Sequence, residues 1–292
     1  MRTAFALIVI GSLAFAALSR DLIAELTGRP FLGISPVQAQ SLKLDAEVST
    51  PNFTGISRLE AHAFNGQIRV TVGGQPKLTI TRRGHVEVKT ERRGDAFVIA
   101  GRPLTHNCWR CSLEVEATIP AGLELALETS NGAITVEGAV RSLTANTSNS
   151  AITVRDSGAS KLKLETSDAP IEVRGARGEV EANTSNGRIR LEHVEAQVRA
   201  ETSNSDIVLD GVTLPAHSSN TVTTSNGSIE VVALDAPGGA RLEGSTSNGG
   251  LNLQMPGFDL HQDKTEFTAT REGASQAELM LETSNGGITV RP

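Results

Sequence analysis

Three groups of residues in this chain could do chemistry. The first is Asp206, Asp210 and Glu230, which the sequence pattern sets near Arg188 and Arg190. Carboxylates and basic residues on one strand face can supply a general acid and a general base for polysaccharide cleavage. That requires a cleft and a perturbed pKa. The ordinary alternative is ion pairing between neighbouring strands. The second group is Cys108 and Cys111, the only 2 cysteines, in the segment His106-Asn107-Cys108-Trp109-Arg110-Cys111. In an exported chain this spacing reads as a disulfide across a turn. A redox pair is the alternative, but no βαβ pattern surrounds it. Haem attachment would need a histidine where Ser112 stands, and zinc would need further ligands beside His106. No cofactor or metal is expected. The third group lies within 71–111, where 8 basic residues face 3 acidic ones. Arg82, Arg83, Lys89, Arg92 and Arg93 are its centre. They would suit an anionic surface such as lipid headgroups or acidic polysaccharide, or else form a solvated strand face.

A repeat must position these residues. Thr-Ser-Asn-Gly followed by x-Ile-x-Val recurs, intact or nearly so, at Thr129, Thr147, Thr166, Thr184, Thr202, Thr224, Thr246 and Thr283, in steps of 18, 19, 18, 18, 22, 22 and 37 residues. A residue type that recurs in every unit serves the architecture before it serves catalysis. Counting from each threonine, apolar side chains fall at −4, −2, +5 and +7, as in Leu125, Leu127, Ile134 and Val136. Spacing by two is the strand period. Ser-Asn-Gly between the halves supplies the turn, with asparagine tolerating left-handed dihedrals and glycine taking positive φ. Each unit therefore predicts strand, tight turn, strand, looser turn.

A meander and a coil both fit that pattern, and the outward residues favour the coil. In a β-solenoid, equivalent positions stack about 4.8 Å apart. Asn131, Asn149, Asp168, Asn186, Asn204, Asn226, Asn248 and Asn285 would form one column, an amide ladder, and the threonines a second. Position −1 reads Glu128, Asn146, Glu165, Asn183, Glu201, so no two glutamates meet. Position −3 reads Lys163, Glu181, Arg199, alternating in sign as stacked neighbours should. The expected fold is an all-β solenoid with about 18–22 residues per rung and an irregular N-terminal β cap. A degraded unit is legible at Leu59, Ala61, Ala63, Asn65, Gly66, Ile68 and Val70. Residues 40–120 form the irregular N-terminal segment and 121–292 the regular solenoid. Residues 254–278 make a loop or hairpin excursion before a last rung closes the chain. Arg291 and Pro292 then blunt the open edge.

The 292 residues include 28 glycines, no tyrosine and 1 tryptophan, which suits a narrow coil packed with small and branched side chains. The net charge of −6, with no basic patch spanning the repeats, excludes nucleic acid as a partner. Arg2 and the apolar run 4–18 read as a signal peptide over 1–39, cleaved after 37–39. Ala14-Phe15-Ala16 is an alternative site, and an uncleaved membrane anchor the alternative fate.

Leu-Glu-Thr-Ser-Asn-Gly-x-Ile-Thr-Val at 127–136 and 281–290, with the lead-in at 113–120, resembles the bacterial exported "putative adhesin" β-strand repeat family, whose function is uncharacterised. The resemblance covers about 59–292. It implies a right-handed, parallel β-helix-like exported protein with a surface or adhesive role, and no catalytic residues carry over. The expected function is a non-enzymatic structural or adhesive module of the periplasm or cell surface. Its partner would be an envelope glycan, a lipid surface or a protein, with self-association through the solenoid ends. The alternatives are a carbohydrate-active β-helix enzyme centred on Arg188, Asp206 and Glu230, and a membrane-associated envelope-stress or signalling accessory.

Overall fold

The computed structural model describes residues 44–105, 108 and 110–292. The expected signal segment, its cleavage sites and its reading as an anchor lie outside the described residues. Every unit forms two strands because apolar residues alternate with polar ones on either side of a short turn. In chain order the strands are β1 (Leu44–Ser49), β2 (Arg58–His62), β3 (Ile68–Val72), β4 (Lys77–Arg83), β5 (Val86–Arg93), β6 (Ala96–Pro103), β7 (Ser112–Ile119), β8 (Glu124–Glu128), β9 (Ile134–Glu137), β10 (Ser142–Asn146), β11 (Ile152–Arg155), β12 (Lys161–Thr166) and β13 (Ile171–Arg174). They continue with β14 (Arg177–Thr184), β15 (Ile189–Glu192), β16 (Glu195–Thr202), β17 (Ile207–Asp210), β18 (Ser219–Thr224), β19 (Ile229–Val232), β20 (Ala240–Thr246), β21 (Leu251–Leu253), β22 (Asp259–Gln262), β23 (Glu266–Arg271), β24 (Ala277–Thr283) and β25 (Ile288–Arg291).

Two sheets face each other across the core. One has 12 strands, in the order β1-β4-β7-β3-β9-β11-β13-β15-β17-β19-β25-β21. The other has 13, in the order β22-β23-β20-β24-β18-β16-β14-β12-β10-β8-β2-β6-β5. A rung is one strand from each sheet, and successive rungs pair in parallel with like residues opposed. Ile134, Ile152, Ile171, Ile189, Ile207 and Ile229 form one such column, each 0% exposed. Stacking identical branched side chains fills the narrow interior, which leaves the stack an all-β solenoid held by its rung-to-rung contacts.

The rungs do not stack in chain order. The β24–β25 rung lies between β18–β19 and β20–β21, pairing in parallel with both. At the other end, the β2–β3 rung lies between β6–β7 and β8–β9. The last repeat is thus inserted rather than appended, and Arg291 sits in an interior strand rather than blunting an edge. Antiparallel strands cover three of the four sheet ends, and β21 ends the 12-stranded sheet. The excursion folds as the hairpin β22–β23, which caps β20. β4 and β1 cap one sheet at the N-terminal end and β5 caps the other. Such strands satisfy the backbone groups that a bare terminal rung would expose.

The tetrad corner works differently from its sequence reading. Its glycines do not need positive φ, and among the described tetrad-corner residues only Asn65 is left-handed (φ 53). The left-handed residues line the opposite corner, at Gly138, Asp156, Gly175, His193, Gly211 and Ala233. Crowding explains the tetrad glycines instead. A Cβ on Gly187 would lie 1.8 Å from the Ala169 carbonyl oxygen of the preceding rung, and one on Gly227 would lie 1.8 Å from that of Ser205. The buried threonine beside each glycine bridges the same two rungs. Thr184 Oγ1 donates to the Ala169 carbonyl at 3.3 Å and accepts the Gly187 N–H at 3.1 Å. Thr283 Oγ1 likewise donates to the Gly227 carbonyl at 2.8 Å and accepts the Gly286 N–H at 3.2 Å. The threonines form a column, but their hydroxyls bond backbone rather than one another.

Two outcomes follow from this packing. Gly187→Val should cost about 3 kcal/mol or more, because backbone cannot yield to the new side chain. Ser150→Val should cost only about 1 kcal/mol, the value of the Ser150 Oγ bond to the Asn131 carbonyl. Denaturant unfolding of the two variants checks the order. A chain ending at Gln276 loses an interior rung and should lose its cooperative thermal transition by circular dichroism. A chain lacking the edge strand β1 should keep it.

Candidate functional site

Three outward columns flank the tetrad corner. The asparagine column is joined by side-chain hydrogen bonds along most of the stack. Nδ2 of Asn204 donates to Oδ1 of Asn186 at 2.7 Å, Asn226 to Asn204 at 2.8 Å, Asn285 to Asn226 at 2.7 Å and Asn248 to Asn285 at 2.9 Å. At the N-terminal end Asn149 donates to Asn131, and Asn131 to Asn65. Asp168 accepts from Asn186 at 2.6 Å but has no N–H to offer Asn149, so the ladder breaks there. The order of the bonds follows the spatial order of the rungs, with Asn285 between Asn226 and Asn248.

Between the −1 and +1 columns runs a groove of about 610 Å³, lined on successive rungs by Glu128, Asn146, Glu165, Asn183 and Glu201 on one side and by Ser148, Ser167, Ser185 and Ser203 on the other. Its floor is the buried threonine column, from Thr129 to Thr202. The −1 column alternates in register across the rungs, Glu128 against Asn146, Asn146 against Glu165, Glu165 against Asn183 and Asn183 against Glu201. Same-strand neighbours hold these side chains. Lys163 pairs with Glu165 at 3.1 Å and Arg199 with Glu201 at 2.6 Å, while Asn183 Nδ2 donates to Glu181 at 3.2 Å. The glutamate beside Lys163 raises that lysine's pKa. The alternating −3 charges therefore bind mainly along their own strands, because the long side chains reach an outward neighbour two residues away. The Oδ1 atoms of Asn146 and Asn183 are shielded from solvent yet have no hydrogen-bond partner. No single column of the sequence signals this groove, which exists only between two columns.

The carboxylates singled out for acid–base chemistry lie elsewhere, in or next to the 12-stranded sheet. Asp206 accepts from Arg188 at 3.0 Å, across neighbouring rungs. Arg190 is bonded to Glu192, which holds that carboxyl below its ordinary pKa, and lies 3.5 Å from Asp210. Glu230 is held by Arg291 at 2.7 Å. Each is engaged in an exposed ion pair. Among the described residues, no group of 3 or more His, Cys, Asp or Glu is placed to hold a metal.

The basic residues of the N-terminal end are divided between the sheets, Arg82 and Arg83 on β4 and Lys89, Arg92 and Arg93 on β5. Arg82 lies 3.1 Å from Asp45, Lys89 4.0 Å from Glu87, and Arg93 pairs with Glu91. Arg92 clamps a turn, donating to the carbonyls of Thr54 and Gly55 at 3.1 Å each and of Gly94 at 2.9 Å. Cys108 and Cys111 lie in the β6–β7 connection with their Cα atoms 5.3 Å apart and their sulfurs paired.

The ladder and the ion pairs should weigh differently. Asn186→Leu severs a bond to each neighbouring rung and should cost about 1–2 kcal/mol. Arg188→Ala removes one exposed pair and should cost at most about 1 kcal/mol. Melting temperatures of the two variants check the ranking.

The solved structures found to be similar to the chain share little sequence with it. A "putative adhesin" from Parabacteroides distasonis is 13% identical, with 86% of this chain and 98% of that one aligned at a TM-score of 0.37. A "putative adhesin" from Parabacteroides merdae is 10% identical over 85% of this chain and 95% of that one, at 0.34. A "putative cell adhesion protein" from Clostridium sporogenes is 11% identical over 85% and 99%, at 0.28. No curated protein is similar enough to match. The family model described as Toastrack DUF4097 matches residues 60–291, which takes in nearly every rung, and the chain belongs to that family.

Proposed function

We propose that the chain is a non-enzymatic binding module of the cell envelope, exported to the periplasm or the cell surface. The observation that carries this reading is the regular array of exposed polar side chains, one per rung, beside a groove that follows the stack. Such an array suits contact with an extended, repetitive surface better than capture of a small molecule, which needs an enclosed apolar pocket. The N-terminal pattern of Arg2 and the apolar run 4–18 supports export. Paired cysteines accord with an oxidising compartment. The carboxylates that could have served hydrolysis are spent on arginines, each in an exposed ion pair.

Binding of the full chain to separated envelope fractions, namely glycan, anionic lipid vesicles and membrane protein, tests the reading. Saturable retention on one fraction is expected. Release of new reducing ends from a polysaccharide, with no retention on any fraction, would overturn it in favour of an enzyme.

A further inference from the structure

We infer that the groove beside the tetrad corner is a binding site for a linear β-1,4-linked amino-sugar glycan lying along the stack, one sugar per rung. The inference rests on the envelope-binding reading and names its ligand. Rungs repeat about every 4.8 Å, so like residues in the alternating −1 column recur about every 9.6 Å. An extended β-1,4-linked chain advances by nearly one rung per sugar and turns each sugar over relative to the last. Like faces therefore recur at every second sugar, which matches Glu128, Asn146, Glu165, Asn183, Glu201 along one wall. The facing wall offers an exposed serine hydroxyl on each rung from Ser148 to Ser203.

The chemistry of the walls selects the ligand. The threonine hydroxyls of the floor are committed to backbone, so recognition falls to the −1 and +1 side chains. Carboxylates and amide carbonyls are acceptors, and they call for a ligand rich in O–H and N–H donors. An amino-sugar polymer supplies both, whereas a polyanion would meet Glu165 and Glu201. Lys163 and Arg199 hold those two carboxylates in place, which lowers the cost of ordering them on binding. The unpartnered carbonyl of Asn146 is an acceptor that a χ2 rotation can present to a bound donor. An extended peptide fits less well, because the groove runs across the strands and offers no free strand edge. With no aromatic platform, each sugar adds little, and affinity must grow with the number of rungs engaged.

Titration calorimetry of the full chain with N-acetylated chitohexaose and chitobiose tests this. The hexaose should bind and the biose should not within the same concentration range. Ser185→Phe places a ring in the groove from an exposed rim and should weaken hexaose binding by about tenfold or more. Ser148→Phe does the same on another rung, in case the first variant fails to fold. Arg188→Ala, outside the groove, should bind as the parent does. Equal affinity for the hexaose in both phenylalanine variants, or no binding of the hexaose by the parent, overturns the inference. If the parent nonetheless holds to an envelope fraction, and both variants hold equally well, only the groove assignment falls. If nothing is retained, the envelope-binding reading falls with it.

Discussion

Each rung is tied to its neighbour by one buried threonine hydroxyl. The hydroxyl donates to a carbonyl of the adjacent rung and, where a glycine stands three residues on, also accepts its N–H, as at Thr184, Thr224 and Thr283. It therefore fixes the turn within one rung and the register between two. At Gly187, Gly227 and Gly286 that register brings the adjacent carbonyl to where a Cβ would stand, whereas Ser150, Ala169 and Ser205 hold the same tetrad position with a side chain. Isoleucine over isoleucine in the core, and asparagine over asparagine outside, both follow from this registration. So does the groove, whose walls line up because the rungs stack in register.

The sequence carried the strand period, the turn and the columns, because these depend on residues close together in the chain. Arg188 and Asp206, assigned to adjacent rungs from spacing alone, lie 3.0 Å apart. The order of the rungs was not legible, and the reason is physical. The apolar pattern of Leu279, Leu281, Ile288 and Val290 fits any slot in the stack, so nothing local says which neighbours it takes. The interior slot is reached through the connection that holds the hairpin β22–β23, and this carries no repeat. The role of the tetrad glycine was misread for a related reason. Positive φ is the common demand on a turn glycine, whereas the crowding that selects Gly187 comes from Ala169, a whole rung away. The groove is not legible because it is formed jointly by the −1 and +1 columns over the threonines, and no one column carries its pattern.

Three of the four sheet ends finish in antiparallel strands, and the fourth is β21. β5 carries Glu87, Lys89, Glu91, Arg92 and Arg93 along an exposed edge, a row of charges poorly suited to pairing with another strand. At the opposite end the hairpin β22–β23 turns antiparallel and breaks the parallel run. Both devices act at the sheet edges and leave the middle rungs, where the groove lies, uniform.

The interior place of β24–β25 has a mechanical meaning. A force applied at Pro292 reaches β25 first, and β25 is hydrogen-bonded on both sides, to β19 and to β21. The load runs along the strand axis, so the bonds on its two flanks must shear together instead of opening one at a time from an edge. At an edge of the sheet, the same strand would have met that pull with bonds on one flank alone. Clasping β25 within the stack sets hydrogen bonds on both of its flanks against any pull along that strand.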